Sequence, residues 1–164
     1  MAESSTLAII FTILYAIIIV ASVVGNTLLI YIVWKTPEVR SLTSFMFVNM
    51  AVADLLVTLT TMSWSIAFFY TEGKWPVDGL LGDISCRGSP YATYVTVMAS
   101  ILCLMFMAID RYYACVWPFN RHNAWFRKAK FVAPLVWITS MLLMSFVTVI
   151  VVYRDGLCAM DFAI

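Results

Sequence analysis

The chain of 164 residues is 63% hydrophobic and 12% charged, with a mean hydropathy of +0.95. Soluble domains have an apolar share nearer to one half, so this composition excludes an ordinary soluble domain and indicates a membrane protein. The formal net charge of +1 gives no basic excess that would imply nucleic acid as a partner, and it conceals an uneven distribution along the chain.

Lys, Arg, Asp and Glu are absent from residues 4–34, 88–109 and 131–153, and residues 41–71 contain only Asp54. Each stretch exceeds the roughly 20 residues that a helix needs to cross a bilayer. Four spans are expected, at about Leu7–Trp34, Leu42–Tyr70, Pro90–Cys115 and Phe131–Tyr153, within a single membrane domain covering 1–164. The runs do not alternate as barrel strands would, and unsatisfied backbone is costly in lipid. The fold class is therefore all-α, a polytopic helical membrane protein.

The first span has no basic leader, carrying Glu3 instead, and is too long for a cleaved signal peptide; it reads as a retained signal anchor. Within it, Asn26 lies nine residues above Lys35, about 14 Å from the edge. In the second span Asp54 lies 12 residues beyond Leu42, about 18 Å in, and in the third Ser100 lies 11 residues above Arg111, about 16 Å in. Three polar groups on three helices thus share a layer near the middle of the membrane. A carboxylate there costs roughly 2.5–3.5 kcal/mol unless it is paired, hydrated or protonated. Asp54 is either a functional group or a protonated, hydrogen-bonded structural one. A second layer lies nearer the edge, where Asn49 is seven residues inside Leu42 and Trp137 seven inside Lys130, both about 10 Å deep. An indole N–H in lipid needs an acceptor, and an Asn side chain supplies one, so this pair would lock span four against span two.

The third span ends on Asp110-Arg111-Tyr112. An Arg at such an edge can stay wetted, bind an acidic partner or bind a neighbouring carboxylate. The following stretch, Val116 to Lys130, mixes Trp117, Phe119, Trp125 and Phe126 with basic residues, as an interfacial belt on anionic lipid does. The joints on this side carry Lys35, Arg40, Arg111, Arg121, Arg127, Lys128 and Lys130. The opposite side has only Lys74, Arg87 and Arg154, with Glu3, Glu72, Asp78, Asp83, Asp155 and Asp161. By the positive-inside rule, both termini face outward. Cys86 and Cys158 then lie on the outer side, where oxidation can make a disulfide, and closing a loop of about 70 residues would contribute on the order of 4 kcal/mol. Cys103 and Cys115 read as reduced packing thiols, with palmitoylation of Cys115 the lesser alternative. No metal-ligand spacing is visible, and the lone His122 lies in a basic loop.

These features together resemble the rhodopsin-like (class A) G-protein-coupled receptors. Gly25-Asn26, the run from Asn49 to Leu56 containing Ala53-Asp54, Trp75, Cys86, Asp110-Arg111-Tyr112, Pro118-Phe119 and Trp137 fall in that family's order and spacing. Met50, where the family commonly has Leu, is a mild departure. The resemblance covers helices one to four of the family's seven and the start of the second extracellular loop. It implies a four-helix portion of the seven-transmembrane bundle at the plasma membrane, multi-pass, with the N-terminus extracellular. It further implies that Asp110 restrains Arg111 at rest, that Arg111 contacts a heterotrimeric G protein when released, and that Tyr112 and Phe119 help to form the docking surface. By the same likeness Asp54 and Ser100 are a half-site for a sodium ion, completed by the later helices. Cys86 and Cys158 are the family's disulfide. Thr93 holds the pocket position that carries Asp in amine receptors, so an aminergic ligand is disfavoured and a peptide preferred. No other cofactor is implied. The family's moving sixth helix has no counterpart in these residues, so signalling by this chain alone is not expected.

An enzyme would need a Ser, His and acid set, paired carboxylates in a cleft, zinc ligands or a phosphate loop, and none is visible. A four-helix scaffold of the tetraspanin or claudin kind fits the span count but predicts a large cysteine-rich outer domain or its signature motif, whereas the longest outer loop, Thr71 to Ser89, has one cysteine. An interaction protein that pairs with complete receptors or a complementary fragment would use small residues on spans three and four, such as Ala99, Ser100, Ala108 and Ser140.

Overall fold

The computed structural model describes residues 2–39, 41–71, 74–116, 129–154 and 156–160. Apolar runs of the required length form helices because only intrahelical bonding satisfies every backbone group in lipid. Helix α1 is Ala2–Lys35, α2 is Leu42–Tyr70 and α3 is Gly79–Val116. Helix α4 is Ala129–Leu143, followed by the single turn α5, Val147–Ile150. Among the described residues, four stretches are long and apolar enough to cross a membrane: Thr6–Lys35, Leu42–Tyr70, Gly79–Val116 and Phe131–Ile150.

Local chemistry sets the boundaries. Ser41 caps α2 by accepting the Ser44 backbone N–H at 3.2 Å. Helix α2 carries a π-helical turn at Thr58–Met62, a distortion that often marks functional sites. Gly79 starts α3 at φ +68°, a conformation in which a Cβ would be strained. Helix α3 therefore begins 11 residues before the expected Pro90. Asp83 and Arg87, which kept this stretch out of the expected span, form a 2.9 Å ion pair one helical turn apart. Charge excluded these residues from lipid, not from the helix.

The far end of span four differs in kind. Helix was expected to Tyr153, but Val151–Arg154 form strand β1, antiparallel to β2, Leu157–Met160. Val151-Val152-Tyr153 favour a strand, and Asp155-Gly156 is a strong hairpin-turn dipeptide; Gly156 has φ +77°. The hydropathy of these residues masked that local signal.

The core lies where α2, α3 and α4 meet, around Met46, Ala99, Cys103, Met107, Val132 and Val136. Lipid tails are as apolar as these side chains, so close packing holds the helices together rather than escape from water. Ala51, Ala53, Ala99 and Ser140, all buried, permit that approach. Helix α1 buries no side chain among those described and is stitched to α2 instead. Phe11 stacks on Phe69 at 5.5 Å, Thr12 bonds Tyr70 at 3.1 Å and Ser22 bonds Thr58 at 2.8 Å. A second cluster, Cys86, Val147 and Val151, seats the hairpin on α3.

Candidate functional site

Three sites lie along the bundle. At the end where α3 finishes, Asp110 is 6% exposed and faces the first turn of α2. Thr43 donates to Asp110 Oδ2 at 3.5 Å, the weak limit of a hydrogen bond, and accepts from Arg111 Nη2 at 2.9 Å. The Thr43 hydroxyl thus bridges the carboxylate and the guanidinium of adjacent residues on α3. Tyr112 is exposed and meets Tyr113 edge to face at 5.7 Å. Phe119 and the rest of residues 117–128 lie outside the described residues.

One to two turns deeper, Trp137 Nε1 donates to Asn49 Oδ1 at 3.0 Å, joining α4 to α2. The same Asn49 side chain donates to the Phe45 carbonyl at 2.8 Å, which fixes its orientation. At mid-depth, Asp54 and Ser100 line a cavity of about 470 Å³ together with Ser22, Asn26, Thr58 and Thr96. Asn26 Nδ2 is spent on α1, donating to the Ser22 carbonyl at 2.9 Å and to the Ser22 hydroxyl at 3.1 Å. Asp54 is exposed on the open side of this cavity.

At the opposite end, a cavity of about 410 Å³ is walled by Tyr15, Trp64, Phe68, Phe69, Trp75 and Tyr94, with Thr61, Ser65 and Thr93 as polar points and Met160 of β2 at its rim. Among the described residues, no charged one lines it. Thr93 bonds Thr61 at 2.6 Å, so the position of interest on α3 is tied to the π turn of α2. Trp75 stacks on Trp64 at 4.8 Å and donates its indole N–H to Ser85 at 2.8 Å. The hairpin closes over this end through the Cys86–Cys158 disulfide, whose Cα atoms are 5.7 Å apart. The Trp75 backbone N–H donates to the Gly156 carbonyl at 2.7 Å, and Tyr153 donates to Asp78 at 3.1 Å. Burial, and then the Asp78 carboxylate, push the Tyr153 phenol above its ordinary pKa.

Rise per residue places Asn49, Trp137, Asp54, Asn26 and Ser100 in their layers, whereas it gives no special place to Thr43, Ser22, Thr58 and Thr61. A hydroxyl in a helix can bond its own preceding carbonyl, so it does not demand a distant partner, and residue type alone does not distinguish these four. The signal available was positional: Thr43 sits one residue inside the edge of α2, level with Asp110.

A helical membrane bundle with an Asp-Arg-Tyr end, a polar mid-layer and a disulfide-capped aromatic cavity has the features of a multi-pass membrane receptor. The chain belongs to the 7 transmembrane receptor (rhodopsin family) class, whose family model matches residues 25–163. It is 34% identical over 142 residues to neuropeptide FF receptor 1 of Rattus norvegicus, covering 87% of this chain and 32% of that one. It is 31% identical over 125 residues to the RYamide receptor of Tribolium castaneum, covering 76% and 32%. It is 32% identical over 137 residues to cysteinyl leukotriene receptor 1 of Mus musculus, covering 83% and 38%. The chain thus spans about a third of the length of the curated relatives it matches.

Proposed function

We propose that these four helices supply half of the ligand pocket and part of the G-protein contact of a peptide receptor at the plasma membrane, with the N-terminus outside. The observation that carries this reading is the uncharged aromatic cavity under the disulfide-held hairpin. An aminergic ligand needs a carboxylate partner, and the α3 position that would bear one is Thr93, bonded to Thr61. Peptide receptors among the relatives support the same ligand class. At the inner end, Arg111 and Tyr112 would meet the G protein, with Asp110 and Thr43 holding Arg111 meanwhile, and Phe119 completing the surface.

The mid-layer fits a sodium ion in its chemistry. Asp54 offers a carboxylate and Ser100 a hydroxyl, the hard oxygen donors that such cations take, and both line one cavity. Asp54 and Ser100 would hold the ion, which would offset the charge of a carboxylate at mid-depth. The later helices would complete that site and the pocket, so signalling is assigned to the assembled receptor.

The test is co-expression of this chain with helices five to seven of rat neuropeptide FF receptor 1, challenged with photoreactive peptides and with leukotrienes. Peptide adducts on Trp64, Phe68 or Tyr94, and peptide-dependent G-protein activation lost in Arg111→Ala, are expected. Activation by leukotriene alone, or adducts confined to other surfaces, would overturn the peptide assignment.

A further inference from the structure

We infer that the end of α3 nearest the hairpin is an interfacial anchor: Leu80, Leu81 and Ile84 rest in the boundary between headgroups and acyl chains on that side of the membrane, and lipid is what covers them. The inference rests on the chain crossing a membrane and is independent of the ligand class. Leu80 is 76% exposed, Leu81 70% and Ile84 58%, and they are the large apolar side chains that α3 carries before Cys86. Contiguous apolar surface of this kind marks a contact.

Spacing shows which flank they occupy. Leu80, Ile84, Arg87 and Tyr91 follow one another at intervals of four, three and four residues, which keeps them in one row along a helix. The last two members of the row meet the fourth span: Arg87 donates to the Thr148 carbonyl at 3.2 Å and Tyr91 to the Met141 carbonyl at 3.2 Å. Helix α5 ends at Ile150, and the chain then turns into the hairpin, which seats on Gly82 and Cys86 instead. Leu80 and Ile84 therefore overhang the end of the fourth span. They are also turned away from the side that later helices would complete. Val97, on the open mid-depth cavity, lies 13 residues after Ile84, a rotation of about 140°.

Length and charge then identify lipid as the occupant. The 38 residues of α3 make a rod of about 57 Å, against roughly 40–45 Å for a bilayer with its headgroups. A helix that overshoots either projects into water or leans until its end meets the headgroup layer. Leucine and isoleucine favour the second, and Asp83 and Arg87 keep this stretch from sinking further, into hydrocarbon. Those two charges neutralise each other at 2.9 Å, so the flank suits zwitterionic headgroups. The level agrees as well. Trp75, an indole of the kind that collects at the membrane surface, donates to Ser85 at 2.8 Å and so stands at the height of Ile84.

The test uses the unaltered chain in nanodiscs of phosphatidylcholine, part of which carries a diazirine high on its acyl chains. Illumination is expected to label 80–84 at least about fivefold more than Leu157, which is 54% exposed but sits on the hairpin. Leu157 thus controls for capture by any exposed leucine. In a Leu80→Asn, Ile84→Asn double variant, labelling of Leu81 is expected to fall at least about threefold. Replacing about a third of the lipid with phosphatidylserine is expected to leave the pattern unchanged, because the flank is neutral. Labelling of 80–84 no greater than that of Leu157 overturns the anchor, whether those residues then face water or a second copy of the chain, which cross-links between copies through 80–84 would show. A change of more than about threefold with phosphatidylserine also overturns it, since charge rather than apolar contact would then hold the lipid.

Discussion

The Arg111 guanidinium donates to the Thr43 hydroxyl at 2.9 Å, tying the charged end of α3 to the first turn of α2. Thr43 is buried and its hydroxyl also reaches Asp110, so one small side chain serves both charges. Thr43→Val keeps the volume and deletes the hydroxyl. It is expected to lower stability by about 1 kcal/mol, while Thr43→Ser stays within about 0.5 kcal/mol of the parent. Reversible unfolding of the chain in mixed micelles, followed by tryptophan fluorescence, measures both. Equal stability of the valine and serine variants would remove the bridge as an energetic element.

The Trp137–Asn49 bond is the cleanest polar link between α4 and α2. A double-mutant cycle with Trp137→Phe and Asn49→Leu isolates it from the packing that each side chain also makes. Coupling of about 0.6 kcal/mol is expected, with about 1.7 as the ceiling for bonds of this kind in membrane proteins. Additive single effects in the same unfolding assay would mean that packing alone fixes α4.

What was legible in the sequence follows from which residues have a single physical solution. A charge-free run of 22 residues, Gly88–Ile109, can only be helix in lipid, and an indole at the depth of Trp137 must find an acceptor. Those constraints gave the four spans and the α2–α4 contact. Residues with several solutions were misread or missed. Val151-Val152-Tyr153 is apolar enough for a span yet β-branched and aromatic enough for a strand, and the turn at Gly156 decides it. Thr43 is one hydroxyl among many on these helices, and only the fold shows that its partners are Asp110 and Arg111 on α3. Asp54 and Ser100 were placed in one layer by rise per residue, and they do line one cavity, but its open side follows from helix rotation, which depth does not encode.

Gly82 is where α3 faces Tyr153 of the hairpin without room for a side chain. A Cβ there would press on the Val77 carbonyl and stand 3.0 Å from Tyr153 Cζ. Gly82→Ala is expected to cost about 1–3 kcal/mol through overpacking and to speed amide exchange within 151–160. Gly88→Ala meets nothing within 4 Å and lies within the same helix, so it is expected to stabilise by about 0.5–1 kcal/mol. A Gly82→Ala variant as stable as Gly88→Ala would contradict the tight seat of the hairpin.

The Cys86–Cys158 disulfide closes a separation of 72 residues. On the chain-entropy model, Cys86→Ser with Cys158→Ser loses about 4 kcal/mol. The Trp75–Gly156 and Tyr153–Asp78 bonds remain in that variant, so the hairpin is expected to loosen rather than detach. Thermal unfolding gives the loss, and exchange rates across 151–160 distinguish a loosened hairpin from a detached one. Full exposure of those amides would show that the noncovalent seat is negligible.

Asp54 gives a prediction whose sign opposes its proposed role. A carboxylate exposed at mid-depth burdens the insertion of α2, whatever it later contributes in an assembled receptor. Asp54→Leu is expected to favour membrane insertion of α2 by about 2.5 kcal/mol or more, with Asp54→Asn between the two. A glycosylation-reporter assay in microsomes reads the inserted fraction directly. The size of the change separates the two readings of this residue: a protonated, hydrogen-bonded acid would insert nearly as readily as Asn, whereas an ionised group awaiting a cation leaves the full gap. Indistinguishable insertion of the parent and Asp54→Asn would therefore count against a charged ion half-site at this position.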